Sequence, residues 1–127
     1  MGSKHICGYD ITVPYSCTFT IAAGGATVAV QIQFRDYAGN NMVTKSVVRM
    51  YYSSDADGNT VVALDAANAV ATNGIIIEDL TFYTATGISE DTGLLGLTLD
   101  DGADMYLNII FPDGHIQTST VIECTGD

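Results

Sequence analysis

Basic residues are scarce in this chain: four Lys and Arg stand against fifteen Asp and Glu, a formal charge of −11 over 127 residues. Nucleic-acid binding needs cations that displace counterions condensed on phosphates. Lys4, Arg35, Lys45 and Arg49 are too few and too scattered for that. The same shortage disfavours anionic membrane surfaces. Long apolar runs are missing too. Ile75-Ile76-Ile77 and Ile109-Ile110-Phe111 are strand-sized, far below the roughly 18 residues of a membrane span. The N-terminus lacks the apolar core of a secretory signal, so the expectation is a protein made in a cytoplasm and soluble there.

Metal and redox motifs are equally thin. Cys7, Cys17 and Cys124 form no CxxC pair, and His5 lies far from His115, so no zinc-ligand spacing is present. At least one thiol must be unpaired. A Cys7–Cys17 bridge across Pro14 would need an oxidising medium, and free buried thiols are the expected state. Catalytic signatures are absent as well: no GxSxG elbow, no HExxH, no phosphate-cradling glycine loop before a helix. Glu78-Asp79 and Glu90-Asp91 are adjacent pairs, which a strand points to opposite faces, so neither is set for shared acid–base work. His115, beside Pro112-Asp113-Gly114, reads as an exposed strand residue. No enzyme activity and no cofactor are expected. The absence of tryptophan weakens a sugar-binding reading of the tyrosines, of which Tyr51 and Tyr52 should point to opposite faces of one strand.

What the chain does contain is alternation. Ala26, Val28, Val30, Ile32 and Phe34 share one parity, against Thr27, Ala29, Gln31, Gln33 and Arg35 on the other. Period two marks a half-buried strand. Asp36 to Asn40 then reads as a turn. Val43 to Tyr52 is the next predicted strand, with Val48, Met50 and Tyr52 on its inner face. The turn Ser53 to Asn59 follows, and Thr60 to Leu64 resumes extended structure. Alanine-rich Asp65 to Ala71 is too short for an independent helix and is taken as loop. Further strands are expected at Ile75–Ile77, at Thr81–Thr86, at Leu95–Leu99 and from Met105 through Phe111. A return strand should run from His115 to Ile122. About seven to nine strands separated by Gly/Asp/Asn turns indicate an all-β chain, an Ig-like antiparallel β-sandwich. Residues 1–17 differ in composition and are expected to form an N-terminal arm or added hairpin, with 18–127 as the sandwich domain.

Two sets of residues stand out as candidate sites. Asp55, Asp57 and Asn59 have the alternating oxygen ligands that open a calcium loop. The Gly and Glu of a full loop are out of place, however, and a plain hairpin turn needs the same residues. The Asp100, Asp101 and Asp104 cluster is read in the same way. In the N-terminal segment Cys7, Tyr9, Ile11, Val13 and Tyr15 share one parity. Tyr9, Ile11, Val13 and Tyr15 are the interface candidates, because such a strand can add to a neighbour's open edge.

Several blocks together resemble a family of small Ig-like structural proteins of tailed bacteriophages. They are Val28 through Asn40, the aromatic strand and turn Val47 to Thr60, the step Thr72-Asn73-Gly74-Ile75, the turn Ile88 to Gly93, and the closing hairpin Tyr106 through Gly114. The resemblance spans about residues 18–122 and is carried by the order of the blocks rather than by any one of them. It implies a virion protein rather than a reaction: a capsid decoration or head-fibre subunit, homo-oligomeric, docking on the major capsid protein or another virion protein. A tail or fibre module recognising a host-surface glycan is the alternative, followed by a bacterial surface Ig-like adhesin domain.

Overall fold

A computed structural model describes residues 3–6, 9–24, 27–62, 69–77, 84–99 and 104–123. The strands are β1 (Ser3–Ile6), β2 (Tyr9–Thr12), β3 (Ser16–Gly24), β4 (Thr27–Arg35), β5 (Val47–Ser53), β6 (Val61–Val62), β7 (Ala69–Asn73), β8 (Ile75–Ile77), β9 (Ala85–Ile88), β10 (Leu94–Leu99), β11 (Asp104–Ile110), β12 (Ile116–Thr118) and β13 (Ile122–Glu123). No helix occurs among the described residues. One sheet has four strands in the order β3-β4-β10-β7. The other has seven, in the order β12-β11-β5-β9-β8, with β13 added to β11 and β6 to β5. Every pairing is antiparallel, and the two sheets pack as an open sandwich. Among the described residues β1 and β2 pair with each other, in a two-stranded sheet of their own.

The sandwich closes because both sheets present an apolar parity to each other. Val28, Val30, Ile32 and Phe34 of β4 are fully buried, as their alternation with glutamine requires. They share one core with Leu95, Leu97 and Leu99 of β10, Val48, Met50 and Tyr52 of β5, and Met105, Leu107 and Ile109 of β11. Phe34 meets Phe111 edge-on across the two sheets, with centroids 6.2 Å apart, a favoured aromatic geometry.

The two open flanks are held by different devices. At one flank β7 passes directly into β8, and the chain changes sheets at Gly74. Its φ of +85° favours glycine, and a Cβ there would sit 2.4 Å from the Ile88 carbonyl oxygen. At the other flank the Gln117 side chain on β12 stands in for a strand. Its Oε1 accepts from the Cys17 amide at 3.0 Å, and its Nε2 donates to the Cys17 carbonyl at 2.7 Å. Cys17 itself is a free, buried thiol, and strand pairing in the sandwich begins at Ser16.

Several sequence expectations need correction. β5 begins at Val47 rather than Val43, because Ser46 is tied to Ser89 by two bonds, Ser46 N to Ser89 Oγ and Ser89 N to Ser46 O. Ala69 to Ala71, taken as loop, belong to β7 and pair with β10. Alanine carries little strand preference, and the ladder with β10 overrides it. The return strand after Gly114 is broken into β12 and β13. Buried Ser119 turns inward between them, accepting from the Leu107 amide and donating to the Thr120 carbonyl. Among the described residues the antiparallel sandwich expected from the sequence has eleven strand segments, four and seven, because the later strands are divided into short pieces. Expectations at Cys7, Cys124, Asp100, Asp101 and residues 81–83 lie outside the described residues.

Candidate functional site

At the end of the sandwich where β4 and β11 finish and β3, β10 and β12 begin, five rings form a chain from core to surface. Buried Phe34 touches Phe111, whose ring stacks on His115 at 4.7 Å and 13°. His115 meets Tyr15 at 4.8 Å, and Tyr15 meets Tyr37 at 4.7 Å. Tyr15 is 37% exposed and Tyr37 58%. The Tyr37 loop is stiffened from within: Asp36 Oδ1 accepts from the Ala38 and Asn40 amides, and the Asp36 amide donates to the Asn40 carbonyl. Beside the rings, Asp113 Oδ1 accepts from both the backbone amide and the Nδ1 of His115. The His115 amide, then its ring, holds the Asp113 carboxyl below the ordinary carboxylate value. No bond among the described residues engages Asp113 Oδ2 or the hydroxyls of Tyr15 and Tyr37.

A second surface lies on the outer face of the seven-stranded sheet. Ladder register places Val47, Ile88 and Ile75 side by side across β5, β9 and β8. The next rung runs Ile116, Ile110, Arg49, Thr86 and Ile77 across five strands. At about 4.8 Å between strands, that rung is roughly 19 Å long. Val47, Ile75, Ile77 and Ile116 are each about half exposed. The rung beyond, Tyr51, Asn108 and Thr118, is polar and covered. Buried Asn108 donates to Ser53 Oγ and accepts from Thr118 Oγ1, while the Tyr51 hydroxyl donates to the Gly58 carbonyl of the turn folded over it.

That turn holds the calcium candidates. Asp55 Oδ1 accepts from the Asn59 and Thr60 amides. The Thr60 amide is the main reason its carboxyl titrates below the ordinary value. Asp55 thus serves as the acceptor that closes a β-turn. Asp57 and Asn59 are exposed. Among the described residues no three His, Cys, Asp or Glu side chains converge on a metal site. Burial pushes the Cys17 thiol up to about 12, which keeps it protonated and a poor nucleophile.

The N-terminal candidates lie in two kinds of segment. Tyr9 and Ile11 lie in β2, and their side chains are outside the description. Val13 to Tyr15 lie outside any strand, with Pro14 buried. The Tyr15 amide donates to the Arg35 carbonyl, so Tyr15 is brought to the sandwich end rather than left on an arm. Sequence reasoning missed Tyr37 and His115 as its partners. The only signal was their position in turns, Asp36-Tyr37-Ala38-Gly39-Asn40 and Pro112-Asp113-Gly114-His115, which carries no information about which loops meet. No family model, curated protein or solved structure matches the chain.

Proposed function

We propose that the chain is a non-enzymatic structural protein of a tailed-phage particle, a capsid decoration or head-fibre subunit that docks on the major capsid protein. The phage assignment rests on the ordered resemblance of residues 18–122. Docking rests on one structural observation: the outer rungs of the seven-stranded sheet carry Val47, Ile75, Ile77 and Ile116 about half exposed, with Ile88 and Ile110 partly covered, around Arg49 and Thr86. A contiguous exposed apolar patch marks an interaction surface. Covering one such side chain fully contributes about 1.5–3 kcal/mol, before the costs of association. The protein works by shape: a rigid sandwich whose apolar face seats on the shell and whose copies contact one another around the lattice. An interface of about 800 Å² per partner is sufficient.

Quantitative mass spectrometry of purified particles tests the assignment. Hundreds of copies per particle are expected, and absence or a handful of copies removes it. Undecorated capsids should bind the native chain and fail to bind the triple variant Val47→Thr, Ile75→Thr, Ile77→Thr. Equal binding of the two chains would place docking elsewhere.

A further inference from the structure

We propose that the aromatic end of the sandwich, built on Tyr37, Tyr15, His115 and Asp113, binds a neutral pyranose glycan. The inference does not rest on the docking reading, which concerns a different surface. Exposure rises along the ring chain, from fully buried Phe34 to Tyr37 at 58%. A purely structural plug would end with its largest ring covered. Here the outermost residue, Tyr37, is the most exposed of the five, on a loop locked by Asp36. A pyranose presents an apolar C–H face that packs on an aromatic ring, and hydroxyls that need acceptors and donors at its rim. Asp113 supplies the acceptor. Its Oδ1 is held by His115, which leaves Oδ2 as an acceptor for a charge-assisted bond to a hydroxyl. With loop and carboxylate both held in place beforehand, little ordering cost remains to be met on binding.

Charge selects among glycans. The loops at this end carry Asp36, Glu90, Asp91 and Asp113 against Arg35, whose Nη1 donates to the Gly39 carbonyl, in a chain of net charge −11, so anionic saccharides are disfavoured and neutral ones are admitted. Ring geometry argues against a proline-rich peptide, which lies across aromatic-lined grooves. Tyr15 is inclined at 57° to Tyr37 and 47° to His115, so the outer rings do not line up as parallel ridges.

The test is an NMR titration of the full chain with cellotetraose, maltotetraose and chitotetraose, with an oligogalacturonate and a proline decapeptide as competitors in class. At about 10 mM, enough to reveal millimolar affinity, at least one neutral tetrasaccharide should shift the Tyr15, Tyr37 and His115 resonances. Tyr37→Ala should weaken that binding at least about tenfold, and Asp113→Asn should weaken it as well. Tyr37→Phe should retain it, and Ile75→Thr should leave it unchanged. Tyr37 is exposed, so its variants test binding rather than folding, and retained core methyl shifts check this. The proposal is overturned if no neutral probe shifts these rings, if Tyr37→Ala binds as well as the native chain, if the oligogalacturonate binds equally, or if only the peptide binds.

Discussion

The two outer faces of the sandwich are built on the same antiparallel ladder, and their side chains differ sharply. The four-stranded sheet shows solvent Thr18 and Thr20 of β3 beside Gln31 and Gln33 of β4, with Arg35 bonded to Thr18 Oγ1. The seven-stranded sheet shows mainly isoleucine and valine in the corresponding place, set around Arg49 and Thr86. Neither difference is forced by the shared core, since both inner faces are equally apolar. Solubility alone would make both outer faces polar, as the first one is. Acidic charge does not separate the two faces either. None of the fifteen carboxylates stands in β3 through β10 or in β12, so repulsion is kept to the loops and strand ends. The polar face is the one expected of a sheet facing water, and the more apolar face is the one on which the docking proposal stands.

The largest effect should come from the core that both faces share. Phe34→Ala is expected to lose about 3–5 kcal/mol, read from urea unfolding. A loss under about 1 kcal/mol would mean that the sheets are not packed through this ring. Next is the clamp joining the two sheet edges. Gln117→Ala removes two bonds to the Cys17 backbone and should cost about 1–3 kcal/mol. Native Cys17 should resist alkylation at pH 8 and become reactive faster in that variant, as peptide mapping would show. Equal protection in both would mean that the flank is held by something else.

The comparison of faces is sharpened by Val47→Thr, Ile75→Thr and Ile77→Thr. Each should change stability by no more than about 0.5 kcal/mol, because these side chains remain at the surface and threonine suits a strand. A large loss would show that the face is part of the folding core, and the contrast between faces would collapse. The smallest effect is on pH dependence. Asp55 and Asp113 are both held below the ordinary carboxylate value of 3.8. A depressed folded pKa contributes stability that is fully present above the unfolded value and lost as pH falls through the folded one. The thermal midpoint should therefore fall on acidification below that range, and less steeply in Asp55→Asn. Identical slopes would mean that the turn bonds do not survive in solution.

Much of the fold was legible because strand parity is a local property. The burial of Val28, Val30, Ile32 and Phe34 follows from their alternation with polar neighbours, and Met105, Leu107, Ile109 and Phe111 follow in the same way. β7 was not legible, because Ala69 to Ala71 carry no pattern and become a strand only through pairing with β10. The break between β12 and β13 was hidden for a related reason. Ser119 looks like any exposed strand residue until the Leu107 amide supplies its partner.

The sequence by itself determined the fold class and the inward parity of the main strands. Composition and period two are read residue by residue, without knowing what lies opposite. The tertiary structure decided which outward residues share a surface. Val47, Ile75 and Ile88 are scattered along the chain and become one rung only through the registers of β5, β8 and β9. Tyr15, Tyr37 and His115 lie in three separate connections and meet because the strands that carry them end at the same edge of the sandwich. Contacts across long sequence separation depend on topology, and no local pattern encodes them.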